Sequence, residues 1–357
     1  MAIKKDKKRI VTGKLKKEEI PIDSSLRPQT LAQFAGQDKI KENIKIMLTA
    51  AQKRKEPLEH ILFYGPAGIG KTSLAQILAK EMNSNIKITS GPALERPGDL
   101  ASILTSLSDK DVLFIDEIHR LNRLVEELLY SAMEDFALDI IIGKGPSAKT
   151  LRLELPKFTL IGATIRIGKI SSPLRDRFGA IHKLDYYNLK DIKKIIKRSA
   201  KILKIDIDNV PASLIAKSSR RTPRVANRIL KRVRDFAQVK HKGKISPEVC
   251  EKALQMLEID GVGLDSADRK LLTVVIKKFS GGPVGLDTLA AACSEDIANI
   301  EEVYEPYLMR LGFLKRTPRG RVATTKAFEY LGFQYPKEAA KRIKKEYVTK
   351  AQKKLFK

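Results

Sequence analysis

One nine-residue segment constrains this chain more than any other: Gly65-Pro66-Ala67-Gly68-Ile69-Gly70-Lys71-Thr72-Ser73. It fits the spacing G-x-x-x-x-G-K-[S/T]. It also stands where that spacing has physical meaning, between the apolar run His60-Ile61-Leu62-Phe63-Tyr64 and a helical stretch from Thr72 to Met82. In such a turn, glycines let backbone N–H groups wrap phosphates while the following helix offers its positive N-terminus. Lys71 is then placed to reach β- and γ-phosphates, and the Thr72 hydroxyl to ligate Mg²⁺. A plain glycine turn is the alternative, and the flanking strand and helix argue against it. The segment therefore commits the chain to strand–loop–helix architecture.

Further strand–helix alternation follows. Asp111 to Ile115 and Thr159-Leu160-Ile161-Gly162-Ala163-Thr164 are near-continuous apolar strands, and Arg123 to Phe136 is a long helix. That pattern predicts an α/β domain, a parallel sheet with helices on both faces. A polar helix from Asp38 to Arg54 precedes it. Leu138–Ile142 and Leu151–Leu155, around Gly143-Lys144-Gly145-Pro146, predict an inserted hairpin. Residues 189–260 are helical in periodicity, with an apolar stripe at Ala226, Ile229, Leu230, Val233 and Ala237. Past Gly261-Val262-Gly263, three helices (Asp268–Phe279, Leu286–Cys293, Ile297–Leu311) and a hairpin over 312–325 read as a winged-helix domain.

Several side chains would complete a nucleotide-hydrolysing site. Asp116 ends a strand where it can serve the magnesium shell, and Glu117 beside it can orient and polarise water. An acidic pair capping the next helix is the bland alternative. His119 is a lone histidine and reads mainly as structural. Thr164 could hydrogen-bond the water or the γ-phosphate. Arg175 and Arg177 sit where the sheet gives way to a surface. Thr222-Pro223 begins a helix with Arg224 in its first turn, where a cation opposes the macrodipole and so suggests an anion nearby. A surface salt bridge would explain Arg224 equally simply.

Charge narrows the partners. The chain of 357 residues has 69 basic and 42 acidic side chains, a net charge of +27. Residues 1–20 and 337–357 supply +12 of that, either as solvated tails or as a non-specific grip on phosphates. The remaining basic body points to a polyanion, most often nucleic acid. Wing residues Lys315, Arg316, Arg319 and Arg321 suit phosphate contact; a solvated basic hairpin is the alternative. Two cysteines, Cys250 and Cys293, form no disulfide framework or metal spacing, and no apolar run approaches the roughly 18–20 residues of a membrane span. The expected setting is cytoplasmic, with no membrane partner.

The motifs together resemble the RuvB family of AAA+ ATPases, bacterial Holliday-junction branch-migration motors. The resemblance rests on Leu26-Arg27-Pro28, the 65–73 loop, Ser90 to Leu100, Phe114 to Leu121 and Gly162-Ala163-Thr164. Ser172 to Gly179, Arg221 to Arg224 and Glu302 to Leu308 add to it. It leaves the basic tails, at 1–21 and beyond the head, outside it, and implies a large AAA+ ATPase domain at 22–187 and a small helical ATPase (lid) domain at 188–260. A DNA-binding winged-helix head at 261–335 and a basic tail at 336–357 complete the chain. It implies ATP and Mg²⁺ as cofactors, a homohexameric ring on duplex DNA, and work at Holliday junctions with RuvA and RuvC in recombination, DNA repair and the SOS response.

Carried onto this sequence, the resemblance assigns ATP binding to Leu26, Arg27, Gly68, Lys71, Thr72, Ser73, Tyr187 and the backbone at Glu134-Asp135-Phe136. Thr72 would hold Mg²⁺, with Asp116 reached through water. Arg177 would be a finger entering the neighbour's site and Arg224 a second sensor. Arg316 and Arg321 would contact DNA, and the Ile140-Ile141-Ile142 arm would dock RuvA, with core packing as its alternative. Ala67 and Ser73 stand where Pro and Thr are usual, and Ile165 follows Thr164 where the family usually has a second threonine. The competing functions are a clamp loader or initiator, a nucleotide-gated DNA-binding scaffold and a sequence-specific regulator. Ser172-Pro173-Leu174-Arg175 lacks the clamp loaders' Ser-Arg-Cys, and Asp116, Glu117 and Arg177 argue for turnover.

Overall fold

The computed structural model describes residues 25–142 and 149–335. The basic tails and the hairpin turn Gly143–Pro146 lie outside the described residues. The chain divides into two compact units, 1–250 and 251–357.

The first unit opens with α1 (Asp38–Arg54) and then alternates β1 (Ile61–Tyr64), α2 (Lys71–Glu81), β2 (Ile86–Ser90), α3 (Pro97–Thr105), β3 (Val112–Asp116) and α4 (Arg123–Glu134). The hairpin β4 (Ala137–Ile142) and β5 (Lys149–Glu154) follows, then β6 (Thr159–Thr164), α5 (Ser172–Asp176) and β7 (Ala180–Lys183). Five strands form one parallel sheet in the order β2-β3-β6-β1-β7. The sequence names its three central strands. Their side chains are apolar on both faces because both faces are covered, and Leu62, Phe63, Leu113, Phe114, Leu160 and Ile161 are buried.

Both edge strands, β2 and β7, and the helix α3 escape the sequence reading. Edge strands bury only part of their surface, so Ile86-Lys87-Ile88-Thr89-Ser90 and Ala180-Ile181-His182-Lys183 mix polar and apolar residues and leave Ile88 and Ile181 exposed. Asn122 caps α4 by accepting the Val125 N–H at 3.0 Å. That helix buries Val125, Leu129 and Met133 in the same core as Leu100 and Leu104 of α3.

Three helices complete this unit: α6 (Leu189–Ile202), α7 (Asn209–Ser218) and α8 (Pro223–Lys240). Ile192, Ile195 and Ile196 of α6 are buried, as is every member of the α8 stripe from Ala226 to Ala237. The Ser199 hydroxyl donates to Asn227 Oδ1 at 2.7 Å, fixing α6 against α8. A further helix, α9 (Pro247–Met256), crosses the division between the units.

The second unit contains α10 (Ser266–Phe279) and α11 (Leu286–Cys293). The expected continuous helix from Ile297 to Leu311 is instead α12 (Ile297–Asn299), a π-helical turn (Ile300–Tyr304) and α13 (Glu305–Leu311). Pro306 explains the break: it brings no N–H, and its ring crowds the preceding turn, so the helix widens there. The wing is the two-stranded hairpin β8 (Leu314–Thr317) and β9 (Gly320–Ala323), followed by α14 (Thr325–Leu331). Leu271, Leu272, Val275, Leu308 and Phe328 centre its core.

Candidate functional site

The glycine loop leaves the C-terminal end of β1, where open parallel sheets bind ligands. Gly65 has φ 142°, and a Cβ there would lie 2.2 Å from the Leu184 carbonyl oxygen. Gly68 has φ 75°, and a Cβ there would press to 3.0 Å on the Arg224 Cβ. Lys71 opens α2 and is buried, with Nζ donating to the carbonyls of Gly65 and Pro66 at 2.8 Å each. Burial pushes its ammonium down to about 8, Asp116 partly opposes that shift and Arg224 adds to it. The cradle is thus cationic and its lysine has only neutral hydrogen-bond partners, an arrangement that suits a phosphate chain.

Neighbouring strands deliver the acidic and hydroxyl groups to the same edge. Asp116 ends β3, and its Oδ1 accepts the Glu117 N–H at 2.9 Å. Glu117 has φ 50°, a conformation rare outside glycine, and its Oε2 pairs with Arg120 at 3.0 Å. Thr164 ends β6 in register with Tyr64, and its carbonyl accepts the Gly65 N–H at 3.1 Å. Its hydroxyl accepts the Arg166 N–H at 2.9 Å and lies 3.0 Å from His119 Nδ1. His119 therefore braces Thr164, a role that nothing in its sequence setting signals. Ile165 brings no polar side chain to this cluster.

The lid helices reach this edge through the backbone. Arg224, in the first turn of α8, donates its N–H to the Gly68 carbonyl at 3.3 Å. Tyr187 donates its hydroxyl to the Ile69 carbonyl at 2.9 Å, and burial raises its phenol above the ordinary value. Leu26 is buried, and its carbonyl accepts from Arg198 Nη2 at 2.8 Å. Arg27 donates to Gln76 of α2 at 3.2 Å. Arg198 is a contributor that sequence reasoning missed, because in a lysine-rich helix nothing distinguishes the one cation that turns inward.

Thr72 and Asp116 offer oxygen donors, the ligand type Mg²⁺ takes. Among the described residues no group of three or more His, Cys, Asp or Glu assembles. A divalent ion here would take most of its shell from phosphate oxygens and water, which is the habit of Mg²⁺.

The remaining expected residues lie elsewhere. Arg177 stands just before β7, at the opposite end of the sheet from the loop. Nη2 pairs with Glu134 Oε2 at 2.9 Å, Nη1 donates to the Pro173 carbonyl at 2.7 Å, and the guanidinium lies 4.5 Å from the Tyr130 ring centre. Nε is buried without a hydrogen-bond partner. Glu134, Asp135 and Phe136 share that end. Phe136 packs on His60, which immediately precedes β1, and Asp135 pairs with Arg152 at 3.4 Å. His60 is locked neutral: Nδ1 accepts the Leu160 N–H at 2.9 Å, Nε2 therefore donates to the Met133 carbonyl at 3.0 Å, and burial lowers its proton affinity. The four residues of β1 put about 13 Å between the two ends. Ile140, Ile141 and Ile142 form the outer half of β4, paired with Leu151, Thr150 and Lys149.

In the second unit, Arg316 and Arg321 are cross-strand partners on the wing, yet their surroundings differ. Arg316 is exposed and reaches Glu301 at 3.6 Å. Arg321 is buried in a bidentate pair with Glu305, one contact being 3.1 Å to Oε2. Like charges directly opposite on a hairpin are unfavourable, and two acids one helical turn apart relieve them. Of the two arginines expected to contact DNA, Arg321 is thus turned inward and Arg316 outward, with Lys315 and Arg319 exposed beside Arg316.

A phosphate-binding loop on a parallel sheet, a strand-end Asp-Glu pair, a helical lid touching the loop and a separate winged helix define an AAA+ P-loop ATPase. Three family profiles match successive stretches. They are the Holliday junction DNA helicase RuvB P-loop domain over residues 26–184, the RuvB AAA lid domain over 187–260 and the RuvB C-terminal winged helix domain over 261–332. The chain belongs to the RuvB family. Among solved structures it is similar to the Thermotoga maritima RuvB Holliday junction branch migration motor, with 49% identity over 87% of this chain and 100% of that one and a TM-score of 0.80. An Ala-to-Ser mutant of Thermotoga maritima RuvB matches at 50% identity, 87% and 99% coverage and a TM-score of 0.81. No helix among the described residues is long and apolar enough to cross a membrane.

Proposed function

We propose that this chain is an ATP-driven motor that pulls duplex DNA to move the branch point of Holliday junctions. It works as a homohexameric ring with RuvA and RuvC, in homologous recombination and repair. Family membership supports the substrate. The observation that carries the mechanism is the separation of Arg177 from the glycine loop by the length of β1. Arg177 stands at the far end of a strand about 13 Å long, where a guanidinium cannot serve the phosphates of its own loop but can serve those of a neighbour.

In this reading Lys71 and the loop N–H groups bind and orient ATP, with Leu26, Arg27 and Tyr187 around the nucleotide. Glu117 orients the attacking water and takes up its proton. Thr164, braced by His119, holds the γ-phosphate end. Thr72, with Asp116 through water, would hold Mg²⁺, which neutralises phosphate charge as it transfers. Arg177, presented beside Glu134, Asp135 and Phe136 of the same chain, completes the adjacent protomer's site, where a finger of this kind is worth about 10³–10⁵ in rate. Arg224 joins the lid to the loop, so loss of the γ-phosphate changes the lid angle and the ring steps.

The wing grips phosphates without reading sequence, Arg316 directly and Arg321 from its anchor on Glu305. The outer arm of the β4–β5 hairpin, Ile140 to Ile142, docks RuvA. The test is migration of a synthetic four-way junction by the purified chain with ATP, with and without RuvA, alongside ATP turnover on dilution. We expect migration that needs ATP and turnover per chain that falls as assemblies dissociate. Turnover per chain independent of concentration would overturn the shared site.

A further inference from the structure

We propose that the exposed face of α6 is a second duplex-DNA contact surface, a lysine ridge on the lid separate from the wing. Lys190, Lys193, Lys194, Lys197 and Lys201 fall within roughly a 100° arc at 3.6 residues per turn, opposite the buried Ile192, Ile195 and Ile196. Lys190, Lys194, Lys197 and Lys201 are exposed and Lys193 is half-exposed. The one acid of the helix, Asp191, is buried at its N-terminus and pairs with Lys194 at 3.5 Å. Among the described residues, Lys190, Lys193, Lys197 and Lys201 have no ion-pair partner. Arg198 is not part of the ridge, because it is spent on the carbonyls of Gln33 and Leu26.

Such a face opposes folding. Lysines at i, i+3 and i, i+4 repel one another, so the ridge weakens the helix that bears it. Protein surfaces ordinarily intersperse the two signs, and a large single-sign field suits the steering of a charged partner. The ridge runs about 17 Å along the helix axis, a length over which a duplex presents about ten phosphate charges. It holds no aromatic side chain on which bases could stack, and no amide or carboxylate to read base edges. That favours a duplex backbone over single strands.

The inference rests on DNA being this family member's substrate, and the test separates the two. In the full chain, Lys190→Gln, Lys193→Gln, Lys197→Gln and Lys201→Gln are combined, leaving Lys194 on Asp191. Binding of a labelled blunt duplex is measured from 50 to 200 mM KCl, together with thermal unfolding. We expect the slope of log affinity against log salt to flatten by about 2–4, at about 0.9 per lost contact. The deficit at 50 mM should shrink by about tenfold or more at 200 mM. The midpoint of unfolding should stay level or rise, since repulsion has been removed. An unchanged slope overturns the ridge, as does a loss confined to single-stranded DNA or to an acidic protein partner. If the wild-type chain shows no salt-dependent duplex binding, the DNA reading itself fails. If Arg316→Ala flattens the slope and the lysine variant does not, the wing stands and the ridge falls.

Discussion

Two cations at opposite ends of the same sheet, Lys71 and Arg177, are held in opposite ways. Lys71 is buried against two backbone carbonyls, and burial pulls its ammonium down to about 8. Arg177 lies against a carboxylate, a carbonyl and an aromatic ring. The lysine has no anion among its hydrogen-bond partners, and Asp116 offsets its burial only in part, so phosphate binding there would relieve a cost already present in the fold. The arginine already has its anion, and in the proposed mechanism it would exchange Glu134 for a neighbour's phosphate. On the proposed function one end would bind and the other would switch, and the contrast can be broken at either end.

The largest effect is expected from Arg177→Ala. The variant's own glycine loop is untouched, so nucleotide affinity should change by less than about twofold while ATP turnover falls by about 10³–10⁵. Equilibrium binding of a fluorescent ATP analogue and a phosphate-release assay measure the two. Near-normal turnover would collapse the distinction between the ends.

The wing repeats the contrast on a smaller scale. Arg321→Ala leaves the Glu305 carboxylate buried and unpaired, a loss of about 3–5 kcal/mol. Arg316→Ala breaks an exposed pair worth about 0–1 kcal/mol. Chemical denaturation of the two variants should separate them clearly. DNA binding should report the reverse emphasis, with Arg316→Ala flattening the salt slope by about 1.

Much of the binding end is legible in sequence because it is local. The loop, Asp116-Glu117 and Thr164 each terminate an apolar strand, and the strand places them. The switching end is not. Glu134 and Arg177 are 43 residues apart and meet only because α4 and β7 both return to the start of β1. Arg321 resembles any basic wing residue until Glu305, 16 residues earlier, is seen to face it. His119 reads as a lone histidine because Thr164 reaches it through the β3–β6 pairing. Edge strands β2 and β7 lack the continuous apolar run that identifies the centre of the sheet, since only the centre is covered on both faces.

The depressed lysine gives a test by pH. Above about pH 8 the Lys71 amine is neutral in the protein alone, whereas a bound phosphate favours the ammonium, so binding must take up a proton. ATP affinity should therefore fall by about tenfold per pH unit above 8 and be level below it as far as this group is concerned. Calorimetry at pH 9 in two buffers of different ionisation enthalpy should find uptake of about one proton. Stability of the protein alone runs the other way. Between about 8 and the ordinary lysine value of 10.5 the unfolded chain holds the proton and the folded chain does not, so stability rises with pH across that window. Nucleotide binding without proton uptake would mean that Lys71 is already charged and the two cations are less different than their partners imply.

The smallest effect is expected where the switch is loosened but not removed. Glu134→Gln keeps the shape of the contact and the backbone of residues 134–136 but withdraws the carboxylate from Arg177. Tyr130 and the Pro173 carbonyl still hold the guanidinium, and the Glu134 side chain is exposed, so the pair is a weak one. Losing it should favour the free finger by severalfold, the scale of an ion pair worth under about 1 kcal/mol. The change should show as turnover reaching its plateau at a severalfold lower protein concentration, with the plateau itself unchanged, because the finger that arrives is the same. A lower plateau would mean that Glu134 acts within the neighbour's site as well as holding Arg177 out of it. An unchanged concentration dependence would mean that the ring and the carbonyl, not the carboxylate, hold the finger back.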